Sequence, residues 1–261
     1  MMRRLIVSVA FVLGLMTLAA AQENSSPKPV LFEHGSFESR STGTLRDVNS
    51  EGQAPFTCSG CIFYGGDTNC NDPNSQGFAD ENTVLVPETE TLGAVTIPAG
   101  KQIVVTGLFF NTIADAGDFF DPHTGSWEIR KDVSEGNGGM QVAAGSNAMQ
   151  VQEVGKTCGL AIFQSQDTVM LSKPQTLTAG TYWFNVTPQC TNSGDSNCDG
   201  QDFYAENTTQ GTNGIRAKLQ PLHEIYLNSA YFGYNYANWC DEALGQNSHQ
   251  CAALSFGVIG H

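Results

Sequence analysis

Basic residues are scarce in this sequence. Twelve Lys and Arg stand against 26 Asp and Glu, which gives a formal net charge of −14 at pH 7. A surface of this sign repels nucleic acid and anionic membranes, so neither is expected as a partner. The chain also lacks a Gly-x-Ser-x-Gly nucleophile elbow, a phosphate-binding glycine loop and the His-Glu-x-x-His spacing of zinc proteases. These absences favour a protein that is not an enzyme.

Apolar runs of membrane-spanning length are missing beyond the first 21 residues. Arg3 and Arg4 precede an apolar stretch at residues 5–18, and three alanines follow at 19–21. This arrangement is typical of a signal peptide, so residues 1–21 are predicted as the signal and the protein as secreted, extracellular or periplasmic, without membrane insertion. Residues 22–28 are polar and are predicted to be disordered. Residues 29–261 show no flexible linker and are predicted to form one domain.

No stretch shows the apolar period of a convincing amphipathic helix. Instead, β-branched and aromatic runs follow tight turns, as in PAGKQIVVTGLFFN (residues 98–111) and AGTYWFNVT (residues 179–187). The predicted fold class is therefore all-β, as an antiparallel, jelly-roll-like β-sandwich with long disulfide-pinned loops. Residues 98–188 are predicted to be its centre.

All eight cysteines follow the predicted signal, and an even number in an exported chain predicts disulfides. The closest spacings favour the pairs Cys190–Cys198 and Cys240–Cys251. The other four form a group whose pairing the sequence leaves open: Cys58, Cys61, Cys70 and Cys158. The Cys-Ser-Gly-Cys motif at residues 58–61 is interpreted as structural, because no second such motif and no thioredoxin-like βαβ pattern accompanies it.

An oxygen-rich loop at residues 195–206, DSNCDGQDFYAE, matches the pattern D-x-[DN]-x-[DN]-G-x5-E of calcium loops. Alternate residues of such a loop can direct oxygens at one cation. The predicted ligands are Asp195, Asn197, Asp199, Gln201 through its carbonyl, and Glu206. The flanking segments are poor helices, so a turn held by a disulfide at Cys198 is the alternative. Calcium is accordingly considered as a structural cofactor.

A second candidate site is the aromatic stretch at residues 226–239. Its rings lie among Asn and Gly, a mixture suited to sugars because rings stack on sugar faces and amides bond hydroxyls. The candidate ligand-binding residues are Tyr231, Tyr234, Tyr236 and Trp239. In the alternative interpretation these aromatics pack a long connection over the sheets. Phe232 is expected to be buried in either case.

Carboxylates near one predicted turn provide the enzymatic alternative. Asp115, Asp118, Asp121 and Glu128 are close in sequence, and a facing pair of carboxylates could hydrolyse a polysaccharide. The alternative is an ordinary solvated turn.

A broader resemblance rests on the order of several motifs: LFxxG at the start, IPAG (97–100), WEIR (127–130), AGTYW (179–183), FGxN (232–235) and FGVIG (256–260). In this order the chain resembles a loose group of exported bacterial β-sandwich proteins with no established activity. The GSFE segment at residues 35–38 also resembles the first strand of carbohydrate-binding sandwich modules. The resemblance implies the fold and export and no catalytic residue. The function expected is a non-catalytic extracellular binding module for glycans, with a polysaccharide hydrolase or a purely structural protein as alternatives.

Overall fold

The computed structural model describes residues 32–33, 58–67, 76–83, 87–114, 123–156, 163–190, 203–208, 213–216, 219–238 and 253–261. These residues form strands and no helix, so the predicted all-β class is confirmed. The strands are β1 (Phe32–Glu33), β2 (Cys61–Tyr64), β3 (Gln76–Ala79), β4 (Asn82–Thr83), β5 (Thr89–Ala114), β6 (Thr124–Lys131), β7 (Met140–Lys156), β8 (Phe163–Cys190), β9 (Phe203–Thr208), β10 (Gln220–Ser229), β11 (Tyr234–Asn238), β12 (Ala253–Leu254) and β13 (Phe256–Gly260). The predicted signal and the segment 22–28 lie outside the described residues.

Strands β5 and β8 hold the sheet together. They pair antiparallel from Gly93 opposite Phe184 to Ala114 opposite Phe163. The main path of neighbouring strands is β1-β3-β9-β5-β8-β6-β7, while β10 and β13 also join β5. Among the described strands only β4 and β8 pair in parallel. The antiparallel sheet is confirmed, whereas the division into two facing sheets, the jelly-roll order and the single domain stay predictions.

The turn predicted at residues 98–100 is a bend within β5 and not the beginning of a strand. The pairing with β8 shifts register between Ile97, opposite Gly180, and Gln102, opposite Thr178. Gly100 has a φ of 73° at this bulge, a conformation that glycine adopts without steric cost. A bulge inserts extra residues into one strand and bends the strand pair without ending it. The two runs of β5 on either side of residues 98–100 therefore belong to one long strand.

The main core is built around the ring of Phe256 in β13. Its centroid lies 5.1 Å from that of Phe63, 5.1 Å from that of Phe110 and 6.1 Å from that of Phe184. A β-carbon on Gly93 would lie 2.7 Å from the Phe256 ring, so glycine makes room for it. Burial of these rings joins β2, β5, β8 and β13 into one apolar cluster.

The first half of β5 is buried on both faces, and this positions the candidate site. Val95 lies in the main core, whereas Leu92 packs with Trp183 and Tyr226 in a second cluster. Side chains alternate between the faces of a strand, so Glu90 is expected on the same face as Leu92. A carboxylate thereby lies beside an apolar cluster.

The described cysteines are disulfide-bonded. Cys58 and Cys61 are joined to each other, with their Cα atoms 5.5 Å apart, and the structural interpretation of this motif stays a prediction. Cys190 is also in a disulfide. Its predicted partner Cys198 and the predicted pair Cys240–Cys251 lie outside the described residues, so both pairings stay predictions.

Candidate functional site

The described part of the aromatic stretch, residues 226–238, forms a β-hairpin rather than a long connection. Tyr226 lies opposite Asn238 and Ser229 opposite Tyr234, with the tip at residues 230–233. Phe232 is 6% exposed and donates its backbone N–H to Ser229 Oγ at 3.2 Å, which confirms its predicted burial. The hairpin pairs with the beginning of β5 through β10.

The candidate tyrosines of this hairpin have different surroundings. Tyr231 is exposed, with its ring edge-on to Phe232 at 4.9 Å between centroids. Tyr234 is half-buried, and burial raises its pKa. Tyr236 is half-buried as well and faces Arg130, whose Cζ lies 5.0 Å from the ring centroid. The fourth candidate, Trp239, lies outside the described residues.

Tyr234 lines a cleft between the beginning of β5 and the hairpin. The cavity has a volume of about 480 Å³, within the range of small-ligand sites. Besides the Tyr234 ring, its walls consist of two carboxylates, two amides and one methyl group: Glu88, Glu90, Asn228, Asn235 and Ala230. The cleft therefore combines an apolar ring face with groups that donate and accept hydrogen bonds.

Glu90 is held in the wall of the cleft. Asn228 lies opposite it in the β10–β5 pair, and Asn228 Nδ2 donates to Glu90 Oε2 at 3.3 Å. Burial and the nearby charge of Glu128 raise the pKa of Glu90, against the opposing effects of Asn228 and Arg130. Glu90 thus keeps its proton to a higher pH than a solvated glutamate does.

Glu128 and Arg130 form an ion pair on β6 beside Glu90. Arg130 Nε donates to Glu128 Oε1 at 2.6 Å, and the two side chains are 16% and 8% exposed, respectively. Arg130 Nη1 also donates to the carbonyl of Gly138 at 2.9 Å, while the guanidinium stacks on Tyr236. Burial raises the pKa of Tyr236 to about 12; the charge of Arg130 acts to lower this pKa, and the charges of Glu128 and Glu90 act to raise it. The guanidinium is engaged by a carboxylate, a carbonyl and a ring.

Two residues at this cluster have left-handed backbones. The φ angles are 52° at Glu88 and 44° at Tyr236. The backbone N–H of Glu88 donates to Asn82 Oδ1 at 3.2 Å, and the carbonyl of Tyr236 accepts from the N–H of Gly136 at 3.2 Å. Such conformations cost about 1–3 kcal/mol each and are concentrated at ligand sites. Of these two residues, Glu88 lines the cleft.

A buried carboxyl group, Asp80, lies in the electrostatic reach of Glu90. Its Oδ1 accepts from Asn185 Nδ2 at 2.9 Å, Thr187 Oγ1 at 2.8 Å and the Thr91 backbone N–H at 3.4 Å. Its Oδ2 meets no hydrogen-bonding partner among the described residues. Burial, with a smaller contribution from Glu90, raises the pKa of Asp80 well above its usual value. Asp80 therefore takes up a proton readily in the folded protein.

The predicted calcium loop falls largely outside the described residues. Asp195, Asn197, Asp199 and Gln201 all lie there, and Glu206 belongs to β9, with its backbone opposite Gly77. Within the described residues no cluster of His, Cys, Asp and Glu is suited to hold a metal. Calcium binding by this loop stays a prediction.

The predicted catalytic carboxylates are also divided between the described and remaining parts of the chain. Asp115, Asp118 and Asp121 lie outside the described residues, whereas Glu128 is the partner of Arg130. The carboxylates that share the cleft are instead Glu88 and Glu90, which sequence reasoning missed. Their spacing of two at the beginning of a strand is the only local signal, and their partner Asn228 is 138 positions from Glu90.

Comparisons with protein-family models, curated proteins and solved structures found no match to this chain. None of the described residues belongs to a helix that is long and apolar enough to cross a membrane.

Proposed function

We propose that this chain is a secreted carbohydrate-binding protein whose ligand lies in the cleft between the beginning of β5 and the β10–β11 hairpin. The observation that carries the proposal is the lining of the cleft. It sets the Tyr234 ring beside the amides of Asn228 and Asn235 and the carboxylate of Glu90. Sugars present an apolar ring face surrounded by hydroxyls, so a ring and several polar groups in one cavity match both parts.

The cleft is organised before a ligand binds. Tyr234 is half-buried, which restricts its ring, and the hydrogen bond to Glu90 orients the amide of Asn228. Groups that are already ordered lose less conformational entropy on binding, so more of the contact energy contributes to affinity. Calcium at residues 195–206 belongs to this proposal as a structural cofactor.

The test is a glycan array followed by calorimetry on the glycans that bind. Tyr234→Ala is expected to weaken binding at least about fivefold, because a buried aromatic anchor typically contributes more than about 1 kcal/mol. Tyr231→Ala is the matched control, since it removes an exposed ring of the same hairpin that does not line the cleft. Equal affinity of Tyr234→Ala and the wild type, or no bound glycan, would refute the proposal.

Glycoside hydrolysis is the second candidate. The observation in its favour is that Glu88 and Glu90 line one cavity and that the pKa of Glu90 is raised, as a proton donor requires. Release of new reducing ends from bound oligosaccharides, and its loss in Glu90→Gln, would establish this activity in place of simple binding.

A further inference from the structure

The cleft has an excess of negative charge in its walls. Glu88 and Glu90 line it, and Glu128 lies close enough to raise the pKa of Glu90. The cation among these groups is Arg130, which is already engaged by Glu128, by a carbonyl and by the Tyr236 ring. Within the described residues neither Glu88 nor Glu90 has an ion-pair partner. One more positive charge would therefore be stabilised in this cleft.

We infer that the cleft selects glycans that carry a free ammonium group, that is, amino sugars, over neutral and acidic sugars. This inference rests on the proposed carbohydrate-binding function and specifies its substrate class. An ammonium group placed against Glu90 would donate charge-assisted hydrogen bonds to a carboxylate that lacks a cation of its own. A uronic acid would bring a further negative charge to the same wall, in a protein of net charge −14.

The other walls explain why the ligand is an amino sugar rather than a bare cation. A metal ion would use neither the Tyr234 ring nor the amide hydrogens of Asn228 and Asn235. The described residues also hold no cluster of the kind that retains a metal. A pyranose with an ammonium substituent uses all three kinds of wall: ring face, amides and carboxylates.

Binding of an ammonium group is expected to release a proton from Glu90. Several ionisable groups interact electrostatically with this carboxyl: Glu88 on its own segment, Glu128 and Arg130 on β6, Tyr236 on β11, and Asp80 before β4. A ligand cation adjacent to Glu90 favours its ionised form, whereas a neutral sugar does not. Proton release thus distinguishes recognition of the ammonium group from stacking alone.

The experiment compares three tetrasaccharides of one linkage: β-1,4-linked glucosamine, its N-acetylated form and the glucose oligomer. Calorimetry in mildly acidic solution, in two buffers of different ionisation enthalpy, measures affinity and proton release together. The free-amine oligomer is expected to bind about tenfold more tightly than the other two, the gain from one hydrogen bond to a charged group. Its binding alone is expected to release protons.

The variants separate this inference from the proposed function. Glu90→Gln keeps an oxygen for Asn228 and is expected to abolish the preference while retaining weak binding of all three oligomers. Glu88→Gln, at an exposed position, is expected to reduce the preference and guards against misfolding of the first variant. Asp132→Asn, an exposed turn carboxylate, is the control that should leave binding unchanged.

The outcomes decide the two statements separately. Equal affinities for the three oligomers, or a preference that persists in both glutamine variants, would overturn the inference. If Tyr234→Ala still weakened binding of the neutral oligomers, the proposed function would stand without it. Absence of binding to any glycan would overturn both.

Discussion

Replacement of Asp80 by Asn is expected to change the pH dependence of stability. The Asp80 carboxyl is fully buried, and burial raises its pKa well above the usual value. Over the pH range between the two pKa values, the folded protein retains a proton that the unfolded chain has lost. The contribution of Asp80 to stability is therefore fully present below the unfolded pKa, about 3.9, and is lost as the pH rises through the folded pKa.

The linkage between protonation and folding gives the expected size of the change in stability. Between the two pKa values, this group lowers the free energy of unfolding by about 1.4 kcal/mol for each pH unit. Asn keeps an oxygen that can accept from Asn185, Thr187 and Thr91, but it places an amide where Oδ2 finds no partner among the described residues. The variant is expected to be about 1 kcal/mol less stable near pH 4 and to gain on the wild type at each higher pH.

The assay is urea unfolding of the disulfide-intact protein at several pH values from about 4 to 7, with the difference between variant and wild type plotted against pH. Asp132→Asn removes an exposed carboxylate and is expected to run parallel to the wild type. If Asp80→Asn also runs parallel, Asp80 titrates alike in the folded and unfolded chain and the reasoning fails. If the variant instead gained stability relative to the wild type as the pH falls, Asp80 would be ionised in the folded protein.

Two further variants test the packing around the site and the core. Arg130→Met leaves the carboxylate of Glu128 buried without its cation and is expected to lower the free energy of unfolding by about 3–5 kcal/mol. Replacing Glu128 by Leu in the same protein should restore most of this loss. If urea unfolding places Arg130→Met within about 0.5 kcal/mol of the wild type, the ion pair does not contribute as described. Gly257→Ala would place a methyl group on the Phe109 ring and is expected to destabilise by about 1–3 kcal/mol. Thermal unfolding measures this loss, and a stability equal to that of the wild type would show that the contact with Phe109 is unimportant.

Local features of the strands could be read from the sequence. The strand-forming runs at residues 101–111 and 181–187 were predictable because β-branched and aromatic residues are concentrated in each of them. The lengths of β5 and β8 were not. Their bends at residues 98–100 and 179–180 resemble strand ends in sequence, and only the pairing of the two strands across the bend shows that each continues.

The sequence likewise indicated some residues of the candidate site and not others. Aromatic and amide residues between 226 and 239 indicated sugar binding by composition alone, and Tyr234 does line the cleft. Glu88 and Glu90 carried no comparable signal, because an isolated glutamate looks the same whether it is solvated or buried. Glu90 acquires its raised pKa from burial and from Glu128, 38 positions along the chain on another strand.

The sequence by itself determined the chemical inventory of this protein: an acidic chain with turn glycines, strand-forming runs and one aromatic stretch rich in amides. These are properties of single residues and short windows. The tertiary structure decided which acids lose their solvent and which groups meet, because the register of β10 on β5 sets Asn228 against Glu90 and that of β6 on β8 brings Glu128 and Arg130 to the same sheet. Desolvation and electrostatic interaction depend on how close groups lie in space, and residues far apart in the chain come close together only when it folds.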